Sequence, residues 1–275
     1  MKRSSTNTRN SLRPRVNRRS DPEPPNRALK PTIAVGAAFG RTSGACGLTQ
    51  VRWADTCMRL VAVADTHCYE DQLPTIPDGD VFVHAGDLLR RGSLDELHRV
   101  AAWLRSLPHR HKVVIAGNHD WCFAREPAVA QKALADVAIY LEDSPTSVAG
   151  VSFWGSPWQP EFFGWAFNLP RGPALREHWS RIPQGVEVLV THGPPRGIGD
   201  LVAGDHAGCD DLLEAVERAR PALHLFGHIH EAGGFSRHGT TAFANVTTAE
   251  CTRGATVIDF DPATKVVVPI IVPDM

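Results

Sequence analysis

Five short segments of this 275-residue chain set carboxylates, imidazoles and one side-chain amide at the ends of apolar runs. They are Asp65-Thr66-His67, Gly86-Asp87, Gly117-Asn118-His119-Asp120, Thr191-His192-Gly193 and Gly227-His228-Ile229-His230. No thiolate belongs to the set. Nitrogen and oxygen donors of this kind suit borderline-to-hard divalent cations such as Mn²⁺, Fe²⁺ and Zn²⁺. Seven protein ligands are too many for one ion with an open position, but they suit two ions that share a carboxylate. Such pairs sit roughly 3.5–4 Å apart, clamp the attacking and leaving oxygens of a phosphoryl displacement, and generate hydroxide near neutral pH. An isolated Asp-x-His is usually a strand end meeting a turn, and a lone Gly-Asp says less. Gly-Asn-His-Asp and Gly-His-x-His are more specific, because glycine lets the backbone turn sharply while its neighbours point inward. The remaining histidines (His84, His98, His109, His111, His178, His206, His224 and His238) are read as surface or packing residues.

The elements that must position these groups surround them in the sequence. Leu60–Ala64, Val81–Ala85, Val113–Ala116, Val186–Val190 and Leu223–Phe226 are short and apolar, so each is expected to be a buried strand. Ser93 and Glu96 make a capping-box pattern ahead of Leu94, Leu97, Ala101 and Leu104, which share one helical face. Pro127 is expected to open a helix running to about Asp136, and another is expected from Asp210 to Arg220, stopped by Pro221. Strands alternating with helices imply βαβ units and an α/β fold. In such sheets ligands gather beyond the carboxyl ends of the strands, where all five polar clusters fall.

Hydrophobic residues at 43% and charged residues at 21% describe a globular chain and exclude a fully disordered or fibrous one. Nothing approaches the roughly 18 consecutive apolar residues of a membrane-spanning helix, so no membrane partner is expected. The formal net charge of −1 divides unevenly. Residues 1–57 carry a net of +8, while residues 58–275 carry −9 and all thirteen histidines. The chain is therefore expected to consist of a basic, flexible, largely irregular extension over 1–57 and one catalytic domain over 58–275. The first 30 residues are rich in Arg, Ser, Asn and Pro and cannot offset their ordering entropy by burial. Ile33–Phe39 with Ser43-Gly-Ala-Cys46 faintly suggests a lipoprotein cleavage site, but Arg41 interrupts it and it sits far from the N-terminus. A solvated tail is the plainer reading, with Met58 as an alternative start; an arm that binds nucleic acid or straps a partner subunit is the sharper one. Six cysteines without a CxxC pair argue against a zinc ribbon or a thioredoxin-type site. A chain of this length buries a core without disulfides, so the thiols are expected to be reduced and the location cytoplasmic.

In combination, DTH at 65–67, GD at 86–87, GNHD at 117–120, THG at 191–193 and GHIH at 227–230 resemble the calcineurin-like metallophosphoesterase superfamily, over essentially the whole chain from Met58. A narrower likeness, carried by WGSPWQPEFFGWAFNLPRG at 154–172, THGPPRG at 191–197 and FGHIHE at 226–231, is to the metallophosphoesterase-domain-containing proteins related to class III cyclic nucleotide phosphodiesterases. The resemblance implies a four-layer αββα sandwich with a dinuclear site at the sheet edges. It implies that Asp65, His67 and His230 hold one cation, that Asn118, His192 and His228 hold the other, and that Asp87 bridges them. His119 is then the non-ligand histidine that donates to a phosphate oxygen or protonates the leaving group, and Asp120 orients it. Some vertebrate relatives carry glycine where this chain has His228, so its presence implies a competent enzyme.

The expected reaction is attack of metal-bound hydroxide on phosphorus, in line with the departing ester oxygen. The family likeness favours small phosphodiesters, 2′,3′- or 3′,5′-cyclic nucleotides first. Asn118, His119, Cys68 and Arg196 are the substrate-binding candidates, Cys68 lining the site without chelating. Arg171 and the Arg90-Arg91 pair are further residues within reach of phosphate by type. Seven aromatics between 151 and 168 (Phe153, Trp154, Trp158, Phe162, Phe163, Trp165, Phe167) read either as a platform for a nucleobase or as packing of an insertion or a homodimer contact. The −9 domain argues against a nucleic-acid partner. A broad phosphomonoesterase or phosphoprotein phosphatase, and a weakly active nucleotide-binding scaffold, are the competing functions.

Overall fold

Contiguous apolar strands need cover on both faces, and this chain supplies it with two stacked sheets between helices. The computed structural model describes residues 57–273. In the first sheet β1 (Met58–Val63), β2 (Val81–Ala85), β3 (His111–Ile115) and β4 (Ile139–Tyr140) run parallel. The free side of β1 pairs antiparallel with β15 (Thr256–Asp261), which pairs antiparallel with the edge strand β16 (Val266–Ile271). The second sheet has β6 (Val151–Ser156), β9 (Val188–Thr191), β12 (Leu223–Phe226) and β14 (Thr241–Asn245) in parallel, with β5 (Ser144–Val148) and β13 (Gly234–His238) antiparallel at its edges. Two short ribbons complete the strands: β7 (Gln159–Pro160) with β8 (Asn168–Leu169), and β10 (Leu201–Val202) with β11 (Asp205–His206).

Alternation along β1 shows how the layers are built. Leu60 and Ala62 point between the sheets, where they join Val83, Ile115, Phe153, Val190 and Leu225. Val61 and Val63 point outward with Phe82 and Val114, and are covered by α1 (Leu94–Ser106), α2 (Trp121–Arg125) and α3 (Pro127–Leu134) through Leu97, Leu104, Phe123 and Leu134. On the far side Trp154, Leu189 and Phe226 meet α4 (Pro173–Ser180) and α5 (Asp210–Ala219) through Leu175, Trp179, Leu212 and Val216. The result is the four-layer αββα sandwich that the family resemblance implies.

The helix signals act as expected at their starts. Ser93 Oγ accepts from the Glu96 amide at 3.2 Å, and the Glu96 carboxylate accepts from the Ser93 amide at 3.3 Å, closing the capping box of α1. The ends come sooner than expected: α3 stops at Leu134, and α5 stops at Ala219, where Arg220 turns left-handed (φ 52°) ahead of Pro221. At the carboxyl ends of the strands the two sheets are stitched together. The Ala64 amide donates to the Val246 carbonyl at 3.0 Å, and the Thr248 amide donates back to Ala64 at 2.9 Å. That stitch brings the turns after β1 and β14 side by side on one rim. The readings made for the basic extension, Cys57 apart, lie outside the described residues. No helix among the described residues is long and apolar enough to cross a membrane.

Candidate metal centre

All five polar clusters meet on this rim. Asp65, His67, Asp87 and His228 each take a left-handed backbone, with φ of 56°, 47°, 55° and 70°. Few residues with a Cβ adopt it, Asp and His more readily than most, and its cost is met only where surrounding structure holds it. Here the neighbouring turns hold it: the Asp65 amide donates to Gly86 O at 3.0 Å and the His67 amide to Asp87 O at 3.1 Å. Two glycines are required by close approach. A Cβ on Gly86 (φ 96°) would stand 2.5 Å from His192 Nδ1, and one on Gly117 would stand 2.3 Å from Asp87 Oδ1.

The donor atoms form two groups. One atom each from Asp65, His67 and His230 lie within 4.8 Å of one another, and the same holds for Asp87, His192 and His228. Asp87 also groups with His67 and His119, so its carboxylate faces both sets. Its Oδ2 is 3.8 Å from His67 Nε2 and 3.4 Å from His192 Nε2, while Oδ1 accepts the His119 amide at 2.8 Å. Asn118 Oδ1 joins the second group, 3.0 Å from His192 Nε2. Both Asp65 oxygens accept the His228 amide, at 3.2 and 3.0 Å.

These residues fit a pair of divalent cations. His67 Nδ1 bonds Leu89 O at 3.2 Å and His192 Nδ1 bonds Ala85 O at 3.0 Å, which commits the proton to Nδ1 and turns each Nε2 lone pair inward. Burial alone would raise the pKa of Asp87, yet the charge and hydrogen bond of His192 hold it far below the carboxylate range. Burial likewise opposes ionisation of Asp65, but His230, 3.7 Å from its Oδ1, and the charge of His192 bring it to about 2. His192 moves the other way: burial would lower it, and Asp87 lifts it to about 9. Burial, then the charge of His192, lowers His228 to about 4, while the neighbouring Asp65 carboxylate raises His230. The same field that favours a proton on His192 would favour a divalent cation, and binding one there would expel that proton.

Not every expected residue sits as expected. Asp120 does not touch the His119 ring. It is fully buried and accepts backbone amides from Gly117 at 2.7 Å, Leu89 at 2.8 Å and Leu88 at 3.3 Å, tying the turns after β2 and β3 together. Burial and the neighbouring Asp87 raise its pKa to about 8. His119 is oriented instead by the Arg90 carbonyl, 2.9 Å from Nδ1, and by Trp165, which stacks on it at 4.3 Å. Cys68 turns away and packs among the residues beneath α1, where burial raises its thiol to about 11. Arg196 lies apart, bonded to His206 O and paired with Asp210, beside a separate cavity. Arg171 is the arginine at the site's cavity, with its guanidinium donating to Ala207 and Gly208 carbonyls. Arg90 lies over the Tyr69 ring.

That cavity, about 560 Å³, opens over the donor groups and is lined by His119, Phe162, Phe163, Trp165, Glu161 and Glu231 among others. The aromatic segment therefore divides: Phe153, Trp154 and Phe167 are buried in the core, while Phe162, Phe163 and Trp165 face the cavity. Two histidines assigned to packing have a further part. His84 Nε2 meets the hydroxyl of Thr66 at 3.0 Å, and His224 Nε2 meets that of Thr191 at 2.8 Å; each threonine directly precedes a histidine of the centre. A Thr-His pair one strand apart is the only trace of this in the sequence.

A sequence model of the calcineurin-like phosphoesterase family matches residues 58–232. Metallophosphoesterase domain-containing protein 1 of Homo sapiens and of Mus musculus are each 44% identical over 212 residues, covering 68% of this chain and 65% of theirs, so the chain spans just under two thirds of those relatives. The UPF0046 protein K07C11.7 of Caenorhabditis elegans is 37% identical over 212 residues, with 72% and 71% covered. Among solved structures, one superposes with a TM-score of 0.61 at 16% identity, and TT1561 of Thermus thermophilus superposes with 0.52 at 14%; each covers 78% of this chain and 98% of its own, a likeness of fold. By motif, layer order and this match alike, the chain belongs to the calcineurin-like phosphoesterase family.

Proposed function

We propose that this protein is a dinuclear metal-dependent phosphodiesterase that hydrolyses small phosphodiesters, cyclic nucleotides first. The observation that carries the proposal is Asp87, a single carboxylate facing both donor groups at the floor of a cavity. Asp65, His67 and His230 would hold one cation and Asn118, His192 and His228 the other, with Asp87 shared. Two such cations (Mn, Fe or Zn) supply positive charge to the oxygens on phosphorus and lower the pKa of water.

The chain's own residues do the rest. His119 has its Nδ1–H engaged by the Arg90 carbonyl, so the proton delivered to the departing ester oxygen would come from Nε2–H of the doubly protonated ring. Trp165 holds that ring by stacking. Phe162 and Phe163, 52% and 85% exposed, offer flat apolar faces to a base. Glu161, Glu231 and Glu250 around the cavity oppose a dianionic monoester more than a monoanionic diester, and they repel a polynucleotide. A cytoplasmic location belongs to the same reading and rests on the free thiols of Cys57, Cys68, Cys122, Cys209 and Cys251.

The test is elemental analysis of purified protein, then turnover of 2′,3′- and 3′,5′-cyclic nucleotides and of aryl mono- and diesters with each metal restored. Diester turnover well above monoester turnover is expected. Equal or faster monoester turnover identifies a phosphomonoesterase instead, and bound nucleotide without turnover identifies a scaffold.

A further inference from the structure

Gln159 is 1% exposed and touches the centre without belonging to any donor group. It begins β7, opposite Asn168 of β8. Asn168 Nδ2 donates to the carbonyl of Phe162 at 2.7 Å, so the Asn168 amide is oriented by a backbone acceptor and turns Oδ1 toward Gln159. Gln159 Nε2 then donates twice, to Asn168 Oδ1 at 3.0 Å and to Asn118 Oδ1 at 2.9 Å. A primary amide has two N–H donors, and both are committed. Flipping Gln159 would set its oxygen against two other oxygens. Its own Oε1 is left buried without a partner, a cost accepted only because the alternative is worse.

The direction of this chain matters at its last member. The oxygen and nitrogen of an asparagine amide have nearly the same shape, but only the oxygen has lone pairs for a cation, because the NH₂ group is a donor. We infer that Asn168 and Gln159 form an amide relay that holds Asn118 with Oδ1 facing the second donor group, which makes Gln159 a positioning residue. The inference rests on reading Asn118 as a metal ligand. The segment is tied to its target again by the Ala166 amide, which donates to Asn118 O at 3.2 Å.

The experiment is calorimetric titration of the metal-stripped full chain with Mn²⁺, together with kcat and KM for an aryl phosphodiester at limiting and saturating Mn²⁺. Gln159→Met keeps shape and removes both donors. It is expected to weaken the second Mn²⁺ about 10- to 100-fold, the usual effect of losing such a partner, and to leave the first unchanged. Its kcat should recover toward wild type as Mn²⁺ saturates. Asn168→Leu, which removes the acceptor that Gln159 faces, should show the same loss. If Gln159→Met fails to fold, Asn168→Leu decides. Wild-type Mn²⁺ affinity in Gln159→Met or Asn168→Leu, with Asn118→Ala impaired, overturns the relay and leaves the site reading standing. Such variants would show only a raised KM, as expected of a residue that merely anchors the aromatic segment. Wild-type affinity in Asn118→Ala overturns both.

Discussion

Asp87 and His119 are joined by one hydrogen bond, from the His119 amide to Asp87 Oδ1, yet their proposed parts in the reaction are separable. Removing the Asp87 carboxylate strips both donor groups of their shared member and takes from His192 and His67 the carboxylate that both face. Asp87→Ala should therefore lose bound metal and activity together, read by elemental analysis and diester turnover. His119 contributes through its ring, and its backbone bond to Asp87 survives truncation. His119→Ala should keep its metal and lose about 10²- to 10⁴-fold in kcat, the range for a general acid. Equal metal loss in the two variants would show that His119 is a ligand and that the proton must come from another group.

At the scale of elements, the turns between strand and helix matter more to the site than the helices do. A Cβ on Gly117 meets Asp87 at 2.3 Å on Oδ1 and 2.4 Å on its backbone nitrogen, so one turn or the other must move. Gly117→Ala should weaken metal binding as severely as loss of a ligand, measured by calorimetry. Ser93→Ala, which opens the capping box of α1 without touching a donor side chain, should cost about 1 kcal/mol in urea unfolding and leave metal content unchanged. The contrast reflects what was legible in the sequence. Strands buried on both faces are continuous apolar runs, and the ligand clusters stand out because each interrupts one. β14 gave no such sign: Thr241–Asn245 is fully buried but has Phe243 as its one large apolar residue among Thr, Ala and Asn, and β5 alternates as an edge strand does. Asp120, Cys68 and Arg196 were misplaced because adjacency in a motif does not set where a side chain points after a left-handed turn. Gln159 was out of reach for another reason, since its partner lies 41 residues away and glutamine next to proline announces no chemistry.

Across the whole molecule, the two sheets repeat one device, and it predicts an acid response. His84 in β2 and His224 in β12 each meet a threonine hydroxyl through Nε2, and each hydroxyl passes its own proton onward, Thr191 to Gly193 O at 2.8 Å and Thr66 to Leu88 O at 3.5 Å. The hydroxyl oxygen must then accept from Nε2–H, which leaves Nδ1 as a bare lone pair, buried and unpartnered in both histidines. Burial pushes both pKa values down to about 3. An unfolded histidine titrates near 6.5, so between about 6.5 and 3 the unfolded chain binds a proton that the folded chain refuses. Stability is full above that window and falls with pH through it, by about 1.4 kcal/mol per unit for each histidine. Asp120 opposes this, because a carboxyl raised to about 8 favours the folded state at low pH and loses that contribution as pH rises from about 4 to 8. A difference measurement removes the conflict. His224→Leu cannot titrate at this position, whereas Asp120 and the donor groups titrate in both proteins. The variant should be the less stable at pH 7, having lost its bond to Thr191, and urea unfolding at successive pH values should show the gap closing by about 1.4 kcal/mol per unit below pH 6. A gap that stays constant down to pH 5 would mean that His224 carries its proton in the folded state, and that water or a shifted Thr191 hydroxyl satisfies Nδ1.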